Sequence, residues 1–486
     1  MSLLKDTEPK NVFHFFEEIC AIPHGSGNLD AIAAYCVSFA KDRDLQYIHD
    51  EFNNVFISKP ATEGCEGSAP ILLQGHLDMV CEKNMDSDAR FDFAKDPLKL
   101  AVMDDYVYAK GTTLGGDDGI AVAYMLAILD DDSIRHPALE CLFTADEETG
   151  MGGMSSFDCS VIKSKRMINI DNETEGEVLA SSAGGRKVKC KLPVRYHESS
   201  GLAYDIVICG LLGGHSGSEI DKYRGNANLL MGRLLHHLRG KINYELYYLK
   251  GGLQDNAIPR EAKASVLIDE KDSTRFEDLI TEFELNIISE YRKIENNITI
   301  YSECRGTIST SVLSPKTQER VIFLLMTIPD GIEKMCPEAK SVVQTSSNAG
   351  IVRLREAYFE VIISIRSSIS SEKRALSDKI QYLTETIGGE FVVESDYPAW
   401  EYRERSRLRD LVSSCYMELY DRHPKITSIH AGLECGIIFD KVKGIDIVSI
   451  GPQIEDIHTP KEKLSISSTE RTWRLLLKIL EKCIDE

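Results

Sequence analysis

The sequence predicts an α/β domain, built on a mostly parallel central sheet flanked by helices and interrupted by a large α+β insertion. Three observations predict it. First, the short apolar runs Ile71-Leu72-Leu73, Leu139–Thr144 and Arg166–Ile170 lack polar alternation and read as strands buried on both faces, the habit of parallel sheets. Second, apolar stripes at helical spacing lie among these runs. Third, the texture changes after Gly184-Gly185 to alternating strands such as Val188–Val194 and Ile206–Cys209, and the α/β character returns near Tyr397. The expected boundaries are 1–185 plus 397–486 for the first domain and 186–396 for the insertion. A chain of 486 residues also exceeds what one core comfortably holds.

Taken in order, Thr7 followed by Pro9 suggests a helix start, and Val12, Phe15, Phe16 and Ile19 form an apolar stripe. Ala31–Phe39 repeats the pattern, so residues 7–43 read as helical, with their aromatics in the core. Val55-Phe56-Ile57 is a strand. The run from Ile71 follows Pro70 and leads into Gly75-His76-Leu77-Asp78-Met79-Val80. His76 and Asp78 thus emerge where the strand ends, which is where open α/β sheets place their sites. Residues i and i+2 of extended chain share a side. Asp78 therefore either shares a metal with His76 or orients its imidazole from behind; the plain alternative is two loop residues without a role.

Gly111–Gly119, reading GTTLGGDDG, runs into the apolar helix Ile120–Leu129. A glycine-rich turn before a helix can cradle phosphate. Here two aspartates stand where the phosphate would go and no lysine follows, which argues against an anion. An aspartate at a helix start reads, in isolation, as a cap. Leu139–Thr144 ends in Ala145-Asp146-Glu147-Glu148-Thr149-Gly150, and Arg166–Ile170 ends in Asp171-Asn172-Glu173. Three apolar strands ending in a carboxylate or histidine, with Asp117 on the turn, are hard to explain as solvated loops. Neighbouring carboxylates repel unless something neutralises them, and a bound cation would do so.

In the insertion, helices are expected at Ala227–Leu238 and Glu372–Ile387, on an antiparallel sheet. The patterns recur after about residue 315 without a sequence repeat, so one or two such units remain open. Leu211–Gly217 places His215 on a glycine-rich turn. Beyond Tyr397, Arg405–Tyr420 reads as a helix, His430–Gly436 as a turn of small residues and Asp446–Ile450 as a strand. Ile457-His458-Thr459-Pro460 follows, and the helix Ser468–Cys483 closes the pattern.

Composition narrows the function classes. Hydrophobic residues make up 43% and charged residues 27%, as in a soluble globular protein. With 56 Lys and Arg against 77 Asp and Glu, the net charge of −21 argues against nucleic acid as a partner while suiting cations. Met1–Asp6 shows no signal-peptide core, and no run reaches the roughly 18 apolar residues of a membrane span, so no membrane partner is expected. The 13 cysteines form no CxxC pair and read as reduced thiols of a cytoplasmic protein. Any metal must then be held by histidines and carboxylates.

Eight pieces stand out together: GHLDMVCEKN (75–84), GTTLGGDDG (111–119), DEETGMGG (146–153), NIDNETEGE (169–177), GGHSG (213–217), NAIPRE (256–261), HAGLECG (430–436) and IHTPKE (457–462). In this order, spanning nearly the whole chain, they resemble the M20 family of metallopeptidases, and within it the aminoacyl-histidine (Xaa-His) dipeptidase group. One departure is Asp118, where many relatives carry Asn; Asp117 is retained. The resemblance implies a zinc-peptidase-like catalytic domain with an inserted lid, and a site for two zinc ions that cobalt or manganese can replace. Asp117 would bridge the metals, His76 and Asp171 would complete one site, and Glu148 and His458 the other. Asp78 would hold His76 from behind, and Glu147 would be the general base. His215 resembles the family's donor to the oxyanion.

The resemblance also implies unblocked dipeptides as substrates, preferably Xaa-His and including β-alanyl-histidine. Arg366 is then a candidate for the substrate carboxylate, because a guanidinium offers a two-pronged fork; by itself it reads as a surface salt bridge. Asn256 and Gly432 are further substrate-binding candidates, and the insertion is the expected surface of a homodimer. The competing readings are an aminoacylase, deacylase or tripeptidase on the same scaffold, and a non-catalytic metal-binding scaffold.

Overall fold

The apolar runs become the inner strands of an eight-stranded sheet in the computed structural model, which describes residues 3–85, 90–337 and 342–484. The chain divides into two units. Met1–Ser182, Tyr402–Ser428 and Leu433–Glu486 form the first, and Ala183–Glu401 with Ile429–Gly432 the second.

In the first unit the strands lie in the order Gln46–His49, Val55–Lys59, Leu139–Thr144, Ile71–His76, Arg166–Asn169, Asp446–Ser449, Glu177–Ser182, Lys425–Ile429. Parallel pairing joins the middle four. The strands flanking them pair antiparallel, as Gln46–His49 does with Val55–Lys59 across a short connection. Every residue of Ile71–His76 and Leu139–Thr144 is buried, which is why these runs carry no polar alternation.

Against this sheet packs Gly116–Asp130, a helix buried from Gly116 through Leu129. It shares one hydrophobic core with Lys10–Cys20 and Ile466–Lys482, through residues such as Phe13, Phe16, Leu476 and Ile479. Gly75 is needed for this approach. A Cβ there would lie 2.5 Å from both the Cβ of Ala121 and the Oδ2 of Asp118. The expected helix over 7–43 is two helices, Lys10–Cys20 and Asp30–Asp42. Pro9 rather than Thr7 occupies the first cap position, because a proline lacks the N–H that this position would waste.

The second unit has a nine-stranded antiparallel sheet, whose two halves join where Tyr244–Gly251 meets Val343–Leu354. Its first strand, Gly184–Pro193, lies between two of its last, Tyr358–Ser367 and Glu390–Tyr397. The helices Ala227–Leu238, Ser273–Tyr291, Pro315–Thr327 and Ser370–Thr386 bury their apolar stripes in a core of its own. Among the described residues no helix is long and apolar enough to cross a membrane, and all 13 cysteines are free thiols.

Candidate metal centre

Register builds the site. His76 lies opposite Thr144 and Gln74 opposite Asn169, so three parallel strands end at nearly one level. The chain beyond each end carries Asp78, Glu147 with Glu148, and Asp171 to the carboxyl edge of the sheet. Asp117 arrives from the turn ahead of the buried helix. Gly115, at φ +69°, makes that turn, and a side chain there would press on the Met79 sulfur at 2.8 Å. Asp117 and Asp118 depart from helical angles (φ −85°, ψ 105° and φ −118°, ψ 28°), and the peptide between them is cis. Asp117 is therefore no helix cap: no side-chain cap bond is made at this helix start.

The Asp117 carboxylate is shared by two histidines. Its Oδ1 lies 3.1 Å from His76 Nε2, and its Oδ2 lies 3.2 Å from His458 Nε2. His76 Nε2 also lies 3.8 Å from Asp171 Oδ1, and His458 Nε2 lies 2.8 Å from Glu148 Oε1. The ligand-capable atoms fall into three groups, each within 4.8 Å: His76, Asp117 and Asp171; Asp117, Glu148 and His458; His76, Glu147 and Glu148.

The residues around these groups orient them. The His76 Nδ1 lies 2.9 Å from the backbone carbonyl of Asp78 and 3.5 Å from its carboxylate, so the main chain is the nearer partner. The Asp78 carboxylate mostly braces the next strand end: it accepts from Ser26 Oγ at 2.7 Å and from the N–H groups of Glu147 and Glu148 at 3.0 and 3.2 Å. Asp118 Oδ2 accepts the backbone N–H of His76 at 3.1 Å, a role invisible in the motif. Beneath the strand ends, buried Glu434 accepts from Gln74 Nε2 and Thr144 Oγ1 at 2.6 and 2.5 Å, and Gln74 Oε1 accepts from Asn169 Nδ2 at 2.7 Å. Glu462 holds the turn before Asp117 by four backbone N–H groups. Sequence reasoning passes over Asp118, Glu434 and Glu462 as site residues. All three lie inside the quoted motifs, where Asp118 draws notice only as a departure.

Charge is crowded here. Burial works to raise the Asp117 carboxyl, but hydrogen bonds from His458 and His76 hold it below the usual range. Burial and then the Asp118 charge push Asp171 well above it. Burial, with repulsion from Glu434, Glu148 and Asp117, pushes Glu147 up to about 8. Hydrogen bonds to Asp117 and Glu148 raise His458 to about 10. Among the described residues, no lysine or arginine pairs with Asp117, Glu148 or Asp171; their partners are the two histidines. Such a cluster holds surplus negative charge that only protons relieve, and divalent cations fit in their place. The donors are imidazole nitrogens and carboxylate oxygens without a thiolate, a set that suits zinc.

Four further candidates lie in the second unit. His215 ends the short strand Gly214–His215, which pairs with Ala257–Ile258 next to Asn256. A Cβ on Gly217 would lie 2.9 Å from His215 Cε1 and 3.2 Å from Arg366 Nε, so His215 and Arg366 flank one glycine. Arg366 is only 8% exposed, which overturns its reading as a surface salt bridge. Its Nη1 donates to Tyr397 Oη at 3.0 Å, and its Nε has no hydrogen-bond partner among the described residues. Gly432 packs on that same tyrosine: a Cβ there would lie 2.7 Å from its ring. His430 Nε2 meets Ser346 Oγ at 2.7 Å, and burial, with Arg366 and His215 nearby, lowers His430 to about 3.

Residues 72–482 match Peptidase family M20/M25/M40. The chain belongs to this family. This M20 peptidase is a hydrolase, and it is 35% identical to the "Cytosol non-specific dipeptidase" of Escherichia coli (strain K12), over 99% of both chains. In structure it resembles the aminoacylhistidine dipeptidase of Vibrio alginolyticus, with a TM-score of 0.89, 35% identity, and coverage of 99% of this chain and 98% of that one. A tripeptidase of Staphylococcus aureus shares the fold at a TM-score of 0.57 and 15% identity, covering 99% of this chain and 100% of that one.

Proposed function

We propose that this M20 peptidase hydrolyses unblocked dipeptides, with a preference for Xaa-His that extends to β-alanyl-histidine. The observation that carries the reading is the Asp117 carboxylate, divided between His76 on one oxygen and His458 on the other. Two zinc ions, or cobalt or manganese in their stead, would be held by His76, Asp117 and Asp171 and by Asp117, Glu148 and His458. When bound, they would polarise the scissile carbonyl and make the attacking water more acidic.

The rest is work for the chain. Glu147 takes the proton of the attacking water and passes it to the departing amine, so the residue ends the cycle as it began. The Asp78 carboxylate fixes the backbone of Glu147 and Glu148, which keeps base and ligand in their separate roles. His215 donates to the oxyanion of the tetrahedral intermediate. Arg366, with Asn256 and Gly432, receives the substrate's terminal carboxylate. The second unit serves as lid and as the surface of a homodimer, and the protein works in the cytoplasm, as the name of the Escherichia coli relative and the free thiols suggest.

The test is a substrate panel for the zinc-loaded protein: Xaa-His dipeptides, other dipeptides, tripeptides and N-acetyl amino acids. Fastest cleavage of Xaa-His is the expected result. Equal rates on all dipeptides would remove the histidine preference alone. Faster cleavage of tripeptides or N-acetyl amino acids would remove the dipeptidase reading.

A further inference from the structure

We infer that Glu462 is a positioning residue that fixes where the Asp117 carboxylate points; the inference rests on Asp117 being a metal ligand. Glu462 is only 3% exposed. Its two oxygens accept four consecutive backbone N–H groups. Oε2 takes those of Leu114 at 2.8 Å and Gly115 at 3.2 Å, and Oε1 takes those of Gly116 at 2.8 Å and Asp117 at 3.3 Å. A helix start leaves such donors without intrahelical partners. Here no local side chain caps them, and the partner comes from 345 residues further along the chain.

Asp117 depends on this clamp for a specific reason. Its backbone has left the helical region, so regular helical hydrogen bonding does not set the direction of its side chain. Helical bonding begins only with the Gly119 N–H donating to the Gly115 carbonyl at 3.1 Å. The turn that aims Asp117 is therefore held on one side by glycines, which impose nothing, and on the other by the Glu462 carboxylate. Glu462 also belongs to the turn that presents His458, since its own N–H donates to the Thr459 carbonyl at 3.0 Å. One side chain thus ties the turn of Asp117 to the turn of His458, whose side chains meet at 3.2 Å.

The variant Glu462→Gln keeps the size of the side chain but turns one oxygen into an amino group, which faces two N–H donors it cannot accept. Glu462→Asp keeps the charge and shortens the reach, and it decides the matter if the glutamine variant does not fold. Zinc and cobalt affinities of the full chain are measured by competition with a chromophoric chelator, together with the visible spectrum of the cobalt form and thermal unfolding of the metal-free protein. Glu295→Gln is the control, because Glu295 clamps Leu212 and Gly225 N–H groups at 2.8 and 3.0 Å in the second unit.

The expected result is a tenfold or greater loss of affinity for at least one ion and an altered cobalt spectrum in the Glu462 variants. Glu295→Gln should lower thermal stability with affinity unchanged. Wild-type affinity and spectrum in a folded Glu462 variant, or an equal loss in Glu295→Gln, would overturn the inference. Asp117→Asn, measured in parallel, separates the two claims. If it binds both ions like the wild type, the metal-site reading fails; if it loses metal while the Glu462 variants do not, only the positioning role fails.

Discussion

Arg366→Lys tests the proposal that Arg366 receives the substrate carboxylate. Arg366 is a buried guanidinium in the strand Tyr358–Ser367, with one Nη1 bond to Tyr397 and an unpartnered Nε. A buried cation without an anionic partner is costly, and a substrate carboxylate would relieve that cost. Lysine preserves the charge but presents it at one point, so one of two parallel hydrogen bonds to the carboxylate is lost. A hydrogen bond to a charged group contributes about 1.5–3 kcal/mol. At about 1.4 kcal/mol per decade, kcat/KM for free dipeptides should fall roughly 10- to 150-fold. The assay compares each dipeptide with its C-terminal amide, which lacks the carboxylate and should lose less than about threefold. An equal loss on acid and amide would mean that the substitution only disturbs the fold around Tyr397. No loss on either would mean that the carboxylate binds elsewhere.

Three further outcomes follow from the same geometry. Glu147→Gln should retain both metal ions and substrate binding yet lose about two to four decades of turnover, whereas Glu148→Gln should lose metal at one site; metal analysis beside kinetics checks this, and reversed behaviour would reverse the roles. Chelation should abolish activity while circular dichroism stays unchanged, because each unit has its own hydrophobic core; full activity after chelation would sink the metal reading. The unfolded chain protonates a histidine near 6.5, whereas folded His430 resists until about 3, so the unfolded state binds more protons between these values and stability falls as pH falls. By pH 4 the loss is roughly 3 kcal/mol, and it should vanish in His430→Gln when urea unfolding is followed from pH 7 to 4. A wild-type-to-variant difference that does not change with pH would refute the assignment.

The strand Leu139–Thr144 and the helix Ala227–Leu238 are legible in the sequence to the residue, because one is a short, mostly apolar run and the other repeats its apolar residues at helical spacing. The gathering of His76, Glu148 and Asp171 is legible as charged strand ends with Asp117 on a nearby turn, whereas His458 enters through the family resemblance alone. What holds them is less so. Asp78 reads as a carboxylate behind a histidine, but its backbone carbonyl is nearer the ring and its carboxylate braces Glu147 and Glu148. Glu462 binds only main-chain N–H groups, and a partner without a side chain leaves no pattern to read. The large sheet of the second unit is hidden for a related reason: Gly184–Pro193 pairs with Tyr358–Ser367, and long-range pairing has no local signature.

The order of strands in the first sheet sets a timetable for synthesis. Arg166–Asn169 pairs on one side with Ile71–His76 and on the other with Asp446–Ser449. At about 5–20 residues per second, the ribosome needs on the order of half a minute to deliver the second neighbour after the first pair has emerged. Through that interval the nascent chain carries an open, apolar strand edge, the kind that recruits other chains. It also lacks His458 and Glu462, so the proposed metal site cannot assemble until those residues have been made too. A chain that stops short of Asp446 would therefore lack the proposed site and keep that edge open to aggregation, a hydrophobic signal that quality control can read.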